Sequence, residues 1–275
     1  MSAMCMASSC AEESVDVPLK TVIPSTDPLD IYIQTNFTDK YGIAVRYAYV
    51  DRYVEPNKRV APVDKTLVRP MLDFLTSFWI QPFEGVTNGS AFFKRYVPAE
   101  MVFIGSSIYN ADGTVTLGTA DAGARITLTE VNLINTSNKA WVFRQLGTIY
   151  HEFAHIVHQN FNLPPNWQQI SPSGYTSAGS WYNLSNEEAL QRGFVSPYAT
   201  SSFNEDFAET VAFMLYDPDF YTTNINDETC TTLDCQLRNN GRALLRKKYS
   251  AVLAHYKQYT GVDLLAVRAL IQAKY

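Results

Sequence analysis

The sequence predicts an α+β fold in which a small mixed sheet precedes an active-site helix and a mainly helical C-terminal lobe. Three observations carry that expectation. Every segment with strand character lies before residue 133, everything from Lys139 onward reads as helix and loop, and no internal repeat breaks the order. With 275 residues, 46% hydrophobic and 18% charged, the chain can bury a core as one large domain or two lobes.

The chain opens with MSAMCMASSC, small and apolar, and Ala7-Ser8-Ser9-Cys10 has the form of a bacterial lipoprotein signal end, where the Cys is acylated after cleavage. A basic start and an apolar stretch of about 7 to 15 residues, which a complete signal has, are missing, so upstream residues are expected. Asp16 to Pro28, rich in Pro, Ser, Thr and Asp, reads as a linker. Residues 1–28 are therefore expected to be leader and linker, and 29–275 a domain with an α/β lobe over about 29–162 and a helical lobe over about 163–275.

Leu29 to Asn36 fits a short helix, and Tyr41 to Val50 has the β-branched and aromatic content of a strand. Asp64 can cap a helix over Lys65 to Ile80 with Leu67, Val68, Met71, Leu72, Leu75 and Phe78 on one face, where Pro70 requires a kink or marks the first turn. Met101 to Tyr109, Asn110-Ala111-Asp112-Gly113 and Thr114 to Thr119 form a hairpin pattern. Arg125 to Asn132 alternates with only one mainly apolar face, which predicts an edge strand able to align an extended substrate. Helices follow at Lys139 to Asn160, Glu187 to Gln191, Asn204 to Tyr216, Cys235 to Tyr259 and Asp263 to Ala273.

A net charge of -5, without a run of Lys or Arg, excludes the basic footprint of a nucleic-acid binder, so the expected partner is a protein, peptide or small molecule. No stretch approaches the roughly 18 apolar residues of a membrane helix. The 17 Tyr, 15 Phe and 4 Trp favour core packing over a polymer-gripping groove. Cys230 and Cys235 could close a small disulfide loop or remain free thiols.

His151-Glu152-Phe153-Ala154-His155 is an H-E-x-x-H pattern inside a run of helical period. Residues i and i+4 share a helix face, so two imidazoles one turn apart can meet one zinc ion, while Glu152 stands beside it as general base for the attacking water. His158 lies two turns from His151, roughly 10 Å along the axis, and is expected to support the site rather than bind the ion. A third ligand must come from elsewhere, because the positions of an extended three-histidine motif hold His158 and Phe161. The segment Asn204-Glu205-Asp206-Phe207-Ala208-Glu209 offers it: of Glu205 and Glu209, one can bind zinc while the other accepts a hydrogen bond from a ligand histidine.

These residues resemble the gluzincin group of zinc peptidases, in which a Glu on a later helix completes H-E-x-x-H. Tyr198, seven residues before Glu205, makes the arrangement similar to the catalytic domain of anthrax lethal factor. That likeness implies Glu205 as ligand, Tyr198 as oxyanion donor, Glu209 as the acceptor behind a histidine, and Asp206 turned away. RITLTEVN, HEFAHIVHQ and EDFAE, with the leader, further resemble bacterial zinc-binding metallopeptidases known as substrate import-associated zinc metallohydrolase lipoproteins. The resemblance covers most of the chain and implies a zincin-like fold, attachment to the outer membrane or cell surface through a lipidated Cys10, and association with a nutrient-import system. A monomeric zinc peptidase is the expectation. The rivals are a zinc hydrolase of an amide in a glycan or cell-wall peptide, and a non-catalytic binding lipoprotein.

Overall fold

Strands of two to four residues and helices of up to 28 build the molecule, so helix packing sets most of its shape. The computed structural model describes residues 25–50, 53–54, 58–109, 115–116, 118–121, 125–177 and 179–275, with backbone only for 115–121. The leader with Cys5 and Cys10, the linker before residue 25 and the turn at 110–113 lie outside the described residues.

Asp27 caps α1 (Pro28–Ile33), which continues through wider turns to Tyr41 and a left-handed Gly42 before β1 (Ala44–Arg46). The Asp64 carboxylate accepts from the Thr66 amide and starts α2 (Lys65–Leu75), which runs through Pro70 rather than beginning there. Then come α3 (Gly89–Tyr96), which the sequence reading passed over, β2 (Glu100–Phe103), β3 (Ile108–Tyr109), β4 (Val115–Thr116), β5 (Gly118–Asp121) and β6 (Arg125–Leu128). The helical half comprises α4 (Lys139–Phe161), α5 (Asn186–Gln191), α6 (Phe203–Tyr216), α7 (Leu233–Thr260) and α8 (Leu264–Gln272). Cys230 and Cys235 are disulfide-bonded, closing the turn in front of α7.

The main sheet has the order β1-β2-β6-β5, with β1, β2 and β6 parallel and β5 antiparallel to β6. The expectation of an edge strand at Arg125 to Asn132 is therefore corrected. β6 is interior, ends at Leu128, and buries Ile126, Thr127 and Leu128 alike, because a strand covered on both faces need not alternate. Threonines on that buried face imitate the polar side of an edge strand. The end strands of the sheet among the described residues are β1 and β5. Glu130 has left the strand at φ 59 and ties the sheet to α4: its carboxylate accepts from Ser107 Oγ at 2.7 Å and from the Arg144 guanidinium at 3.0 Å.

The aromatic residues serve mainly as core. Phe153 of α4 meets Trp79, Phe83, Phe92 and Phe93 with ring centroids 5.3 to 5.7 Å apart. These rings fix α4 against the N-terminal helices and leave its other face for the site. No helix among the described residues is long and apolar enough to cross a membrane.

Candidate metal centre

Two helices, α4 and α6, bring the candidate ligands together. The Asn138 side chain caps α4 by accepting from the amides of Ala140 and Trp141. From there the helix runs unbroken, so the 3.6-residue turn carries His151 and His155 onto one side while Phe153 and Ala154 are buried in the core. Ser202 caps α6, accepting from the Glu205 amide at 3.2 Å. Ser-x-x-Glu is a capping-box sequence, yet only this half of the box forms here. The Glu205 carboxylate turns instead to the histidines. At Ser185 and Glu188, by contrast, the full reciprocal box is present.

His151 Nε2 and His155 Nε2 lie 2.9 Å apart, and Glu205 Oε2 is 2.9 Å from the first and 3.2 Å from the second. A tetrahedral zinc ion with bonds of about 2.1 Å holds its ligand atoms about 3.4 Å apart. The triangle is within a few tenths of an ångström of that size.

The surrounding hydrogen bonds turn lone pairs inward. Glu209 Oε1 is 2.8 Å from His151 Nδ1, and Ser196 Oγ donates to Glu209 Oε2 at 2.6 Å. A carboxylate can only accept, so His151 carries its proton on Nδ1 and presents a bare Nε2. His155 Nδ1 faces His158 Nε2 at 2.8 Å, and a proton on Nδ1 leaves the His155 Nε2 lone pair facing the same point. Two imidazole lone pairs and a carboxylate oxygen at such distances repel one another, whereas a cation among them makes the contacts attractive. The N, N, O donor set fits zinc.

The electrostatics agree. With no cation in the triangle, burial opposes charge on His151, but hydrogen bonds to Glu205 and Glu209 outweigh it and raise its pKa to about 10. A proton on Nε2 would then stand where a bound cation otherwise sits. Burial also disfavours the Glu205 anion, yet the two histidines hold that carboxyl far below the usual carboxylate range. Both shifts express one demand, for positive charge at the centre of the triangle. Glu152 is 8% exposed, hydrogen-bonds to no described residue, and has its pKa pushed up chiefly by burial, against the pull of the two imidazoles.

Tyr198 opens a short turn, Tyr198–Ser201, with its ring centroid 5.8 Å from that of His151 and 5.0 Å from that of Trp181. Burial and the Glu205 carboxylate raise its hydroxyl pKa, which keeps the proton available for donation. Asp206 lies away from the triangle, held by Lys248 Nζ at 2.8 Å and the Tyr175 hydroxyl at 2.7 Å. His158 touches His155 but is not among the three converging donors. Sequence reasoning missed Ser196 and Lys248. A serine thirteen residues before Glu209 gives no signal, whereas Lys248 falls on the buried stripe Leu245, Lys248, Val252, Tyr256, where a cation needs a partner.

Comparison with known proteins points the same way. A family model described as "Putative zinc-binding metallo-peptidase" matches residues 23–265. Among solved structures, the chain is similar to the crystal structure of a "putative zinc-binding metallo-peptidase" from Bacteroides caccae, with 28% identity and a TM-score of 0.71, covering 89% of this chain and 90% of that one. No curated protein matches the chain significantly.

Proposed function

The chain belongs to this zinc-binding metallo-peptidase family, and from that premise we propose that it hydrolyses peptide bonds with Glu152 as general base and Tyr198 as oxyanion donor. The observation that carries the reading is a buried Glu152 carboxyl, without a hydrogen-bond partner among the described residues, next in sequence to a ligand of the donor triangle. His151, His155 and Glu205 would hold the ion. Bound there, zinc supplies Lewis-acid polarisation of a carbonyl and makes water more acidic.

The residues divide the remaining work. Glu152 takes a proton from the attacking water; the water oxygen bonds to the peptide carbon as the C–N bond breaks, and Glu152 passes the proton to the leaving amine. A carboxyl whose pKa burial has raised suits both acceptance and return. Tyr198, with its hydroxyl kept protonated, donates to the oxygen on which negative charge develops. Glu209, backed by Ser196, keeps His151 in one tautomer and orientation.

We further propose a peptide or protein substrate, a monomer, and a place in the cell envelope as a surface lipoprotein anchored through Cys10 beside a nutrient-import system. The Cys230–Cys235 disulfide supports an oxidising compartment. The test of the catalytic reading compares zinc content and cleavage of casein or a peptide library for wild type and Glu152→Gln. The variant is expected to keep its zinc and lose cleavage by about 10²- to 10⁴-fold. Equal cleavage by the two proteins would remove Glu152 as base.

A further inference from the structure

A pocket of about 510 Å³ adjoins the metal centre. His158, whose ring contacts His155, lines one part of it, and Asn204, the residue before Glu205, lines another. The other polar side chains on its wall are Asn162, Asn166, Gln168 and Gln169. Counting Asn204, five residues with side-chain amides line the pocket, all of them solvent-exposed, and none of these amides hydrogen-bonds to a described residue. Among the described residues, no Asp, Glu, Lys or Arg lines the pocket.

The loop that carries these amides is shaped for the purpose. Asn166, at φ 59 and ψ 18, takes the left-handed conformation that asparagine tolerates better than most residues, and Asn162, at φ 61 and ψ -178, turns the chain sharply where α4 ends. His255 Nε2 contacts the Asn162 carbonyl at 3.0 Å and pins the turn that follows α4. Trp167, fully buried between those two asparagines and the glutamines, roots the loop in the core.

A side-chain amide presents an acceptor and two donors. A wall of them satisfies a neutral group that both gives and takes hydrogen bonds. An ionic group would find no countercharge there, and an apolar one would strip water from the amides without replacing it. The volume lies in the range of about 300–1,000 Å³ usual for small-molecule sites, and exceeds what one carboxamide side chain fills.

We propose that this pocket is a substrate subsite beside the cleaved bond, taking a neutral, multiply hydrogen-bonding group: a carboxamide side chain or a sugar carried on the peptide. The assignment rests on the peptidase reading above, so its test has one arm that needs cleavage and one that does not.

In the first arm, zinc-loaded full-length protein and Gln168→Ala/Gln169→Ala are compared on peptides that carry Ala, Leu, Glu, Lys, Gln or N-acetylhexosaminyl-Ser at each position flanking the cut. Both glutamines are exposed, so the fold should survive their truncation. At one position, Gln or the glycosylated Ser is expected to exceed Ala in kcat/KM by about tenfold or more, and the double variant to bring that ratio toward one. Which of the two is preferred identifies the source of the group. Best cleavage with Leu, Glu or Lys, or a ratio unchanged in the double variant, overturns the assignment.

The second arm is ligand-observed NMR with N-acetylglucosamine and N-acetylglutamine amide. Binding to wild type that weakens in the double variant supports the subsite even if no peptide is cut, in which case only the peptidase reading has failed. Absence of binding by both ligands, or equal binding to both proteins, overturns the subsite whatever the cleavage results.

Discussion

Lys248 Nζ and the Asp206 carboxylate meet at 2.8 Å with both side chains wholly buried, one residue along from the metal-centre carboxylate Glu205. Burial pushes the carboxyl pKa up and the ammonium pKa down, while their mutual attraction opposes both shifts. The Tyr175 hydroxyl and the Gly193 carbonyl complete the cluster, which fastens the first turn of α6 to α7. Lys248→Met leaves an unpaired buried carboxylate and is expected to cost about 3–5 kcal/mol in urea unfolding of the zinc-loaded protein, whereas adding Asp206→Leu recovers much of the loss. A single-variant loss under about 1 kcal/mol would show that the pair does not hold the helix.

Glu209 sets the His151 tautomer through a 2.8 Å contact. Glu209→Ala is expected to weaken zinc binding about 10- to 100-fold in competition with a chelator. Glu209→Gln should fall between the two, because its carbonyl can still accept from Nδ1. Unchanged affinity in Glu209→Ala would mean that packing alone orients the ring.

The long helices were legible because each bears its own cap and period: Asn138 begins α4, and the reading from Lys139 to Asn160 differs from the structure by one residue. The pair Glu205 and Glu209 was legible for a different reason, since the two stand one turn apart on a later helix; the choice of Glu205 as ligand came only from the family resemblance. What the sequence hid is what depends on coverage from elsewhere. Thr127 and Thr129 read as a solvent face, yet both are buried, so an interior strand passed for an edge. Lys248 was passed over, although it lies on the apolar stripe of α7. The amide-lined pocket had no signal, because single Asn and Gln residues in a loop look like ordinary turn chemistry until the fold gathers them.

Glu100 links three strands: Arg46 Nε of β1 and Arg125 Nε of β6 each donate to it at 2.8 Å, and the Tyr53 hydroxyl does so at 3.1 Å. Burial alone would raise its pKa, but these donors outweigh burial and bring it down from 4.5 to about 2. A depressed carboxyl pKa stabilises the fold fully above the unfolded value, and that contribution is lost as pH falls through the folded one. Glu100→Gln is therefore expected to cost on the order of 1 kcal/mol at pH 7, given solvent screening at the sheet surface. The difference from wild type should shrink between pH 4.5 and about 2 in denaturant melts at fixed ionic strength. A gap that stays constant across that window would mean the charge on Glu100 contributes nothing.

Gly241 lies inside α7, where alanine would ordinarily favour the helix by about 1 kcal/mol. Here the sign is expected to reverse. A Cβ at this position would stand 1.7 Å from the Leu190 carbonyl oxygen, a backbone atom of α5 that cannot swing aside as a side chain would. To admit the methyl group α5 must move away from α7, and the loop from Gly193 to Ser202 that leads into α6 moves with it. Overpacking of this kind costs about 1–3 kcal/mol, so Gly241→Ala should unfold at lower denaturant than wild type despite its better helix propensity. Because the displaced loop carries Ser196 and Tyr198, cleavage should fall more than the lost stability explains at a temperature where both proteins are folded. A variant more stable than wild type would mean that α5 and α7 do not approach each other this closely in solution.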